Sequence, residues 1–127
     1  MRSRLLTASV GLVLAAACSD STYGGGSGGG CTPTATKICM ANTLFSPTTL
    51  TITVPTTVTW QNADGLPHTT TSNPSNPTGC PTWNNSVGAG QTSPGVTFAT
   101  AGATCQYYCS VHATASTGAM RASIVVQ

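Results

Sequence analysis

Apolar and polar residues alternate along much of the chain with a period of two. Leu50, Ile52 and Val54 interleave with Thr49, Thr51 and Thr53, and Val58 and Trp60 interleave with Thr57 and Thr59. Val96 and Phe98 repeat the pattern. Cys105, Tyr107 and Cys109 share one face of a later segment, and Met120, Ala122, Ile124 and Val126 share one face of the last. Successive side chains of a strand point to opposite faces, so this alternation predicts strands with one face buried. No apolar period near 3.6 persists over three turns, as an amphipathic helix requires. Pro and Gly interrupt the chain at the turn spacing of a sandwich, and abundant Thr suits strands. The expected fold is all-β, a β-sandwich of seven or eight strands, with Trp60 and Phe98 in its core.

One stretch breaks the pattern. From Ser72 to Gly90 the chain is rich in turn formers, among them Asn73-Pro74-Ser75-Asn76-Pro77 and Asn84-Asn85-Ser86, and it reads as one long irregular connection. Connections of that length in a small domain are functional or pinned, and Cys80 within it is the obvious pin.

The N-terminal part differs in composition. Arg2 and Arg4 precede an apolar run from Leu5 to Ala17, too short for a permanent membrane span and shaped like a signal peptide over residues 1–17. The run ends in Leu14-Ala15-Ala16-Ala17-Cys18, which resembles a bacterial lipobox and implies acylation of Cys18, with cleavage without lipid as the alternative. That resemblance places the mature protein in the periplasm or at the cell surface, anchored to a membrane, and Ser19 fits the outer membrane where the cell has one. Residues 18–30 are mostly Ser and Gly and read as a flexible tether with a reach of roughly 20 Å. Residues 31–127 then suffice for one domain with one core.

Charge narrows the partners. Beyond residue 17 the only charged side chains are Lys37, Arg121, Asp20 and Asp64, so there is no basic stripe to hold nucleic acid. Paired carboxylates for acid–base work are absent too, which argues against an enzyme. The chain has six cysteines. If Cys18 goes to lipid, five remain in an exported chain, and one thiol has no partner. Cys31 with Cys39 and Cys80 with Cys105 is the preferred pairing, although the other connectivities of those four stay open.

The unpaired thiol falls beside candidate metal ligands. Of the two histidines, His68 follows Asp64-Gly65-Leu66-Pro67 after a strand, and His112 completes Cys109-Ser110-Val111-His112. Met120 heads the final strand. A Cys-x-x-His pair alone is weak, since a disulfide cysteine beside a surface histidine is the commoner case. Thiolate, two imidazoles and a thioether together, however, form the donor set that selects copper and lets it change oxidation state with little rearrangement. Met40, beside Ile38-Cys39 in the first strand, reads as packing, and Met120 has core companions that make packing its alternative role too.

These residues resemble the cupredoxins, and among them the plastocyanin-like proteins. Three stretches carry the likeness: Phe45 to Ile52, Val58 to Thr69, and Tyr107 to His112 with Gly118-Ala119-Met120. The resemblance implies a Greek-key sandwich and one copper ion cycling between Cu(I) and Cu(II) on His68, Cys109, His112 and Met120. Seven residues separate His112 from Met120, more than such proteins usually have, and the acidic docking patch of some plastocyanins is missing. Electron transfer is the expected function, by a monomer that meets redox proteins near His112, where Val111, Ala113 and Ala115 make an uncharged surface. Tyr108 is either a surface aromatic or part of that contact. A copper carrier or store is the alternative, and a structural sandwich domain with an incidental metal site is a third reading.

Overall fold

A computed structural model describes residues 30–127 of the chain. The expected signal peptide, the acylated Cys18 and the tether up to residue 29 lie outside the described residues. Nine strands and no helix are present among the described residues: β1 (Lys37–Ala41), β2 (Leu44–Ser46), β3 (Thr49–Ile52), β4 (Thr56–Asn62), β5 (His68–Ser72), β6 (Asn84–Val87), β7 (Val96–Phe98), β8 (Ala103–Tyr108) and β9 (Arg121–Val126). They form a four-stranded sheet in the order β2-β1-β4-β7 and a five-stranded sheet in the order β3-β9-β8-β5-β6. The expected all-β sandwich is therefore the fold.

Nine strands rather than seven or eight arise because some are very short. Strand β6 lies inside the stretch read as irregular. Its residues Asn84, Asn85 and Ser86 are polar and only Val87 is buried, so no alternation marks it. It is an edge strand whose ladder is supplied by β5, with His68 opposite Val87 and Thr71 opposite Asn84.

The alternation elsewhere sorts side chains as expected. Strand β4 turns Val58, Trp60 and Asn62 inward, and β8 turns Ala103, Cys105 and Tyr107 inward. Aromatic rings then join the two sheets. Trp60 from β4 lies 5.4 Å from Tyr107 of β8, edge to face, and 5.6 Å from Trp83, stacked. Phe45 from β2 meets Tyr107 at 4.8 Å and Phe98 from β7 meets Trp83 at 5.8 Å. Such pairs add to the stabilisation from burial, which for one large apolar side chain is about 1.5–3 kcal/mol. Met40 is fully buried, as packing requires.

Cys31 is bonded to Cys39 and Cys80 to Cys105, and Cys109 is the free cysteine among the described residues. The second bond ties the long connection to β8, in the manner expected of a pin.

The ladders also decide what meets at one end of the sandwich. Strands β5 and β8 are antiparallel with Thr71 opposite Tyr108, and β8 and β9 are antiparallel with Tyr108 opposite Arg121. The start of β5, the end of β8, the start of β9 and the β4–β5 connection therefore converge.

Candidate metal centre

His68 is the first residue of β5 and only 1 % exposed. Cys109 follows β8 directly and is fully buried. Its backbone N–H donates to the Met120 carbonyl at 3.0 Å, closing the neck of a loop that leaves β8 and returns as β9. Within that loop the N–H groups of His112 and Ala113 donate to the Cys109 carbonyl at 3.1 and 2.9 Å. One tight turn after Cys109 thus swings His112 back over the thiol, which is the physical content of the Cys-x-x-His spacing.

The two histidines present the same atom. Nδ1 of His68 lies 3.2 Å from Nδ1 of His112, and Cys109 Sγ is 3.7 Å from the first and 3.5 Å from the second. Three donor atoms from residues 44 positions apart at the extremes therefore face one point. The Thr69 backbone N–H donates to Cys109 Sγ at 3.3 Å, which fixes the sulfur against the start of β5. One thiolate sulfur with two imidazole nitrogens fits copper, and the buried Cys and His68 keep water from those donors. Met120 is fully buried and joined to Cys109 through the backbone bond at the loop's neck.

Asp64 joins this group, a role sequence reasoning missed. Its Oδ2 is 2.7 Å from His68 Nε2, the ring atom opposite the one aimed at Cys109. The backbone N–H groups of Asn42 and Thr43 donate to the same carboxylate at 2.7 and 3.0 Å. Burial pushes the Asp64 carboxyl up, but the two backbone donors and the His68 ring outweigh it and hold it below its ordinary value. The signal was present as an acid four residues before a candidate ligand, Asp64-Gly65-Leu66-Pro67-His68, with the spacing of a carboxylate that can reach back to the ring.

The long loop between His112 and Met120 is folded upon itself. Thr114 N–H donates to the Thr117 carbonyl at 2.8 Å, and Gly118 sits at φ +100°, where an added Cβ would lie 2.7 Å from the Ala113 Cα. Arg121 donates to the carbonyls of Ser116 at 3.0 Å and Ala115 at 2.9 Å, and the Asn73 amide donates to the Ala115 carbonyl at 3.0 Å. On the other flank the Ser110 N–H donates to Thr69 Oγ1 at 2.8 Å. The seven-residue separation is thus absorbed by a clamped turn. One of the domain's few charges, Arg121, is spent on that clamp.

His112 is half-buried and stands beside Val111, which is 61 % exposed. Leu66, in the connection leading to His68, is 60 % exposed. Leu44, directly after the Asn42-Thr43 turn that holds Asp64, completes the large exposed apolar residues among those described. All three rim the same end of the sandwich. Ala113, in contrast, packs against the core, so it is less a surface residue than its neighbours suggested. Tyr108 is half-buried.

The family model for copper binding proteins of the plastocyanin/azurin family matches residues 33–127. The chain belongs to that family. Being a cupredoxin, it is a protein of one copper ion. Among solved structures it is similar to a purple cupredoxin from Nitrosopumilus maritimus, with 27% identity over 72% of this chain and 99% of that one and a TM-score of 0.58. It is also similar to an oxidised mutant of amicyanin, with 26% identity over 73% and 82% of the two chains and a TM-score of 0.60. A copper-containing nitrite reductase from Thermus scotoductus shares the fold at 24% identity and a TM-score of 0.61, but only 23% of its chain is covered. No match was found among curated protein sequences.

Proposed function

We propose that this cupredoxin is a one-electron carrier whose copper is held by Nδ1 of His68, Sγ of Cys109 and Nδ1 of His112, with the Met120 thioether as the fourth donor. The observation that carries this reading is the convergence of those three atoms on one point, with sulfur supplied by the free cysteine. Copper bound there supplies a Cu(I)/Cu(II) couple. The chain does the rest. Strands β5 and β8 hold His68 and Cys109 in a fixed, dry frame, so that little has to move when charge changes. His112 brings its ring to the surface, and the apolar rim of Val111, Leu66 and Leu44 lets a redox protein approach without stripping water from charged groups.

The same reading assigns the protein to an exported, oxidising compartment, where its two disulfides persist. Acylation of Cys18 would tether it to the membrane, with the Gly- and Ser-rich segment as spacer. Mass spectrometry of membrane-extracted protein tests that part, and an unmodified N-terminus other than Cys18 would remove it. A carrier that hands copper onward needs donors open to an acceptor, whereas Cys109 and His68 are buried. Voltammetry of the copper-loaded protein, followed by mixing with a strong Cu(I) chelator, separates the two roles. The electron carrier cycles reversibly and yields copper slowly. Rapid, complete loss to the chelator, without reversible cycling, would favour the carrier of metal.

A further inference from the structure

Asp64 is the only acidic residue in the described domain, yet it is turned inward onto His68. Its side chain is 19 % exposed. Everything around it fixes its position. Asn42 and Thr43 adopt left-handed backbone conformations, φ 52° and 56°, which turn both N–H groups onto the carboxylate. Non-glycine residues adopt that region at a cost, so the turn must be stabilised by what it binds. From the other side the Asp64 N–H donates to Asn62 Oδ1 at 2.9 Å. Asn62 is itself fully buried, and its amide donates to the carbonyls of Leu66 at 2.8 Å and Val87 at 3.0 Å. The β1–β2 turn and the β4–β5 connection therefore meet on one carboxylate, and that carboxylate meets one imidazole.

We propose that Asp64 is a positioning residue of the copper centre: its carboxylate accepts the Nε2 proton of His68, leaves Nδ1 unprotonated on the side it shares with Cys109 Sγ and His112 Nδ1, where it can donate to the metal, and by its negative charge favours Cu(II) over Cu(I). This rests on the copper reading above. A carboxylate behind a ligating imidazole sets the tautomer and raises the basicity of the other nitrogen. In a domain with so few charges, no neighbouring acid dilutes the effect, and partial burial limits screening.

The test is Asp64→Asn in the copper-loaded protein, which keeps the size of the side chain and an oxygen acceptor but removes the charge. Loss of such a partner typically changes metal affinity 10–100-fold. If Cu(II) affinity falls about tenfold relative to Cu(I), the reduction potential rises by about 59 mV. A purely structural Asp64 would lower the melting temperature and leave the potential where it was, and that result overturns the inference. A second measurement needs no variant: in the diamagnetic Cu(I) protein the His68 Nε2 proton should be observed by NMR, shifted downfield and slow to exchange. A fast-exchanging Nε2 proton overturns the inference as well. The outcomes separate the two readings. An unmutated protein with no sulfur-to-copper absorption band sinks the copper assignment and Asp64's role with it, whereas a normal band with an unmoved potential in Asp64→Asn sinks Asp64's role alone.

Discussion

His68 and His112 turn the same nitrogen, Nδ1, toward the point they share with Cys109 Sγ, but the fold holds them in opposite ways. His68 is borne by a strand, buried, and backed by a carboxylate that two further elements secure. His112 is borne by a loop, half-exposed, and placed by the turn after Cys109 and the clamp around Ala115 and Ser116. One half of the centre is built as an anchor and the other as a surface contact. A site that must keep its geometry and also meet a partner needs both, and here they come from different parts of the chain.

The comparison breaks most visibly when each ring is removed. His112→Gly should leave an opening that reaches solvent, so added imidazole restores the visible spectrum. His68→Gly should resist such rescue, because the vacated space is buried and leaves Asp64 without its partner. The copper-free form of that variant should also lose about 1–3 kcal/mol in a denaturant titration. Equal rescue of both variants would erase the distinction.

A smaller effect is expected at Gly118. Alanine there faces both an unfavourable φ and overlap with the Ala113 backbone, so Gly118→Ala should cost about 1–3 kcal/mol. Because the strain falls on the loop, electron exchange should slow while the environment of His68, followed by its NMR resonances, stays unchanged. An unshifted melting curve would contradict the clamped-turn picture.

Met120 sharpens the comparison from below. Met120→Leu conserves volume and should cost under about 1.5 kcal/mol. If the thioether is a donor, its loss removes a ligand and dries the site, so Cu(II) is disfavoured and the potential rises. An unchanged potential and spectrum would assign Met120 to the core.

How much of this was legible beforehand follows from what each feature depends on. The strands around Leu50, Trp60 and Tyr107 were readable because alternation is a local property and burial follows it. That His68, Cys109 and His112 come together could be expected because the chain has only two histidines and one cysteine left without a partner. Asp64 was passed over because its role depends on the left-handed turn at Asn42 and Thr43, about twenty residues away, whose conformation no alternation records. The role of Arg121 was not legible for the same kind of reason: the carbonyls it binds become neighbours only when the ligand loop folds back. Strand β6 escaped notice because its partner, not its own composition, makes it a strand.

The smallest effect concerns the surface. Val111→Lys should slow reduction by a natural partner several-fold and leave the copper spectrum intact, since Val111 is exposed and not a proposed ligand. In the unmutated protein the reaction should depend weakly on ionic strength, because Lys37, Arg121 and Asp64 are the only charged side chains in the domain and each is engaged internally. A steep fall in rate with salt would move the contact away from the apolar rim.

Whether Cys109 sulfur and two imidazoles hold one copper ion is read from the visible spectrum of the Cu(II)-loaded protein beside that of Cys109→Ser. A strong sulfur-to-copper charge-transfer band is expected at one equivalent of copper in the unmutated protein, and its disappearance in the variant. No such band in the unmutated protein, or a band that survives Cys109→Ser, would contradict that set of ligands.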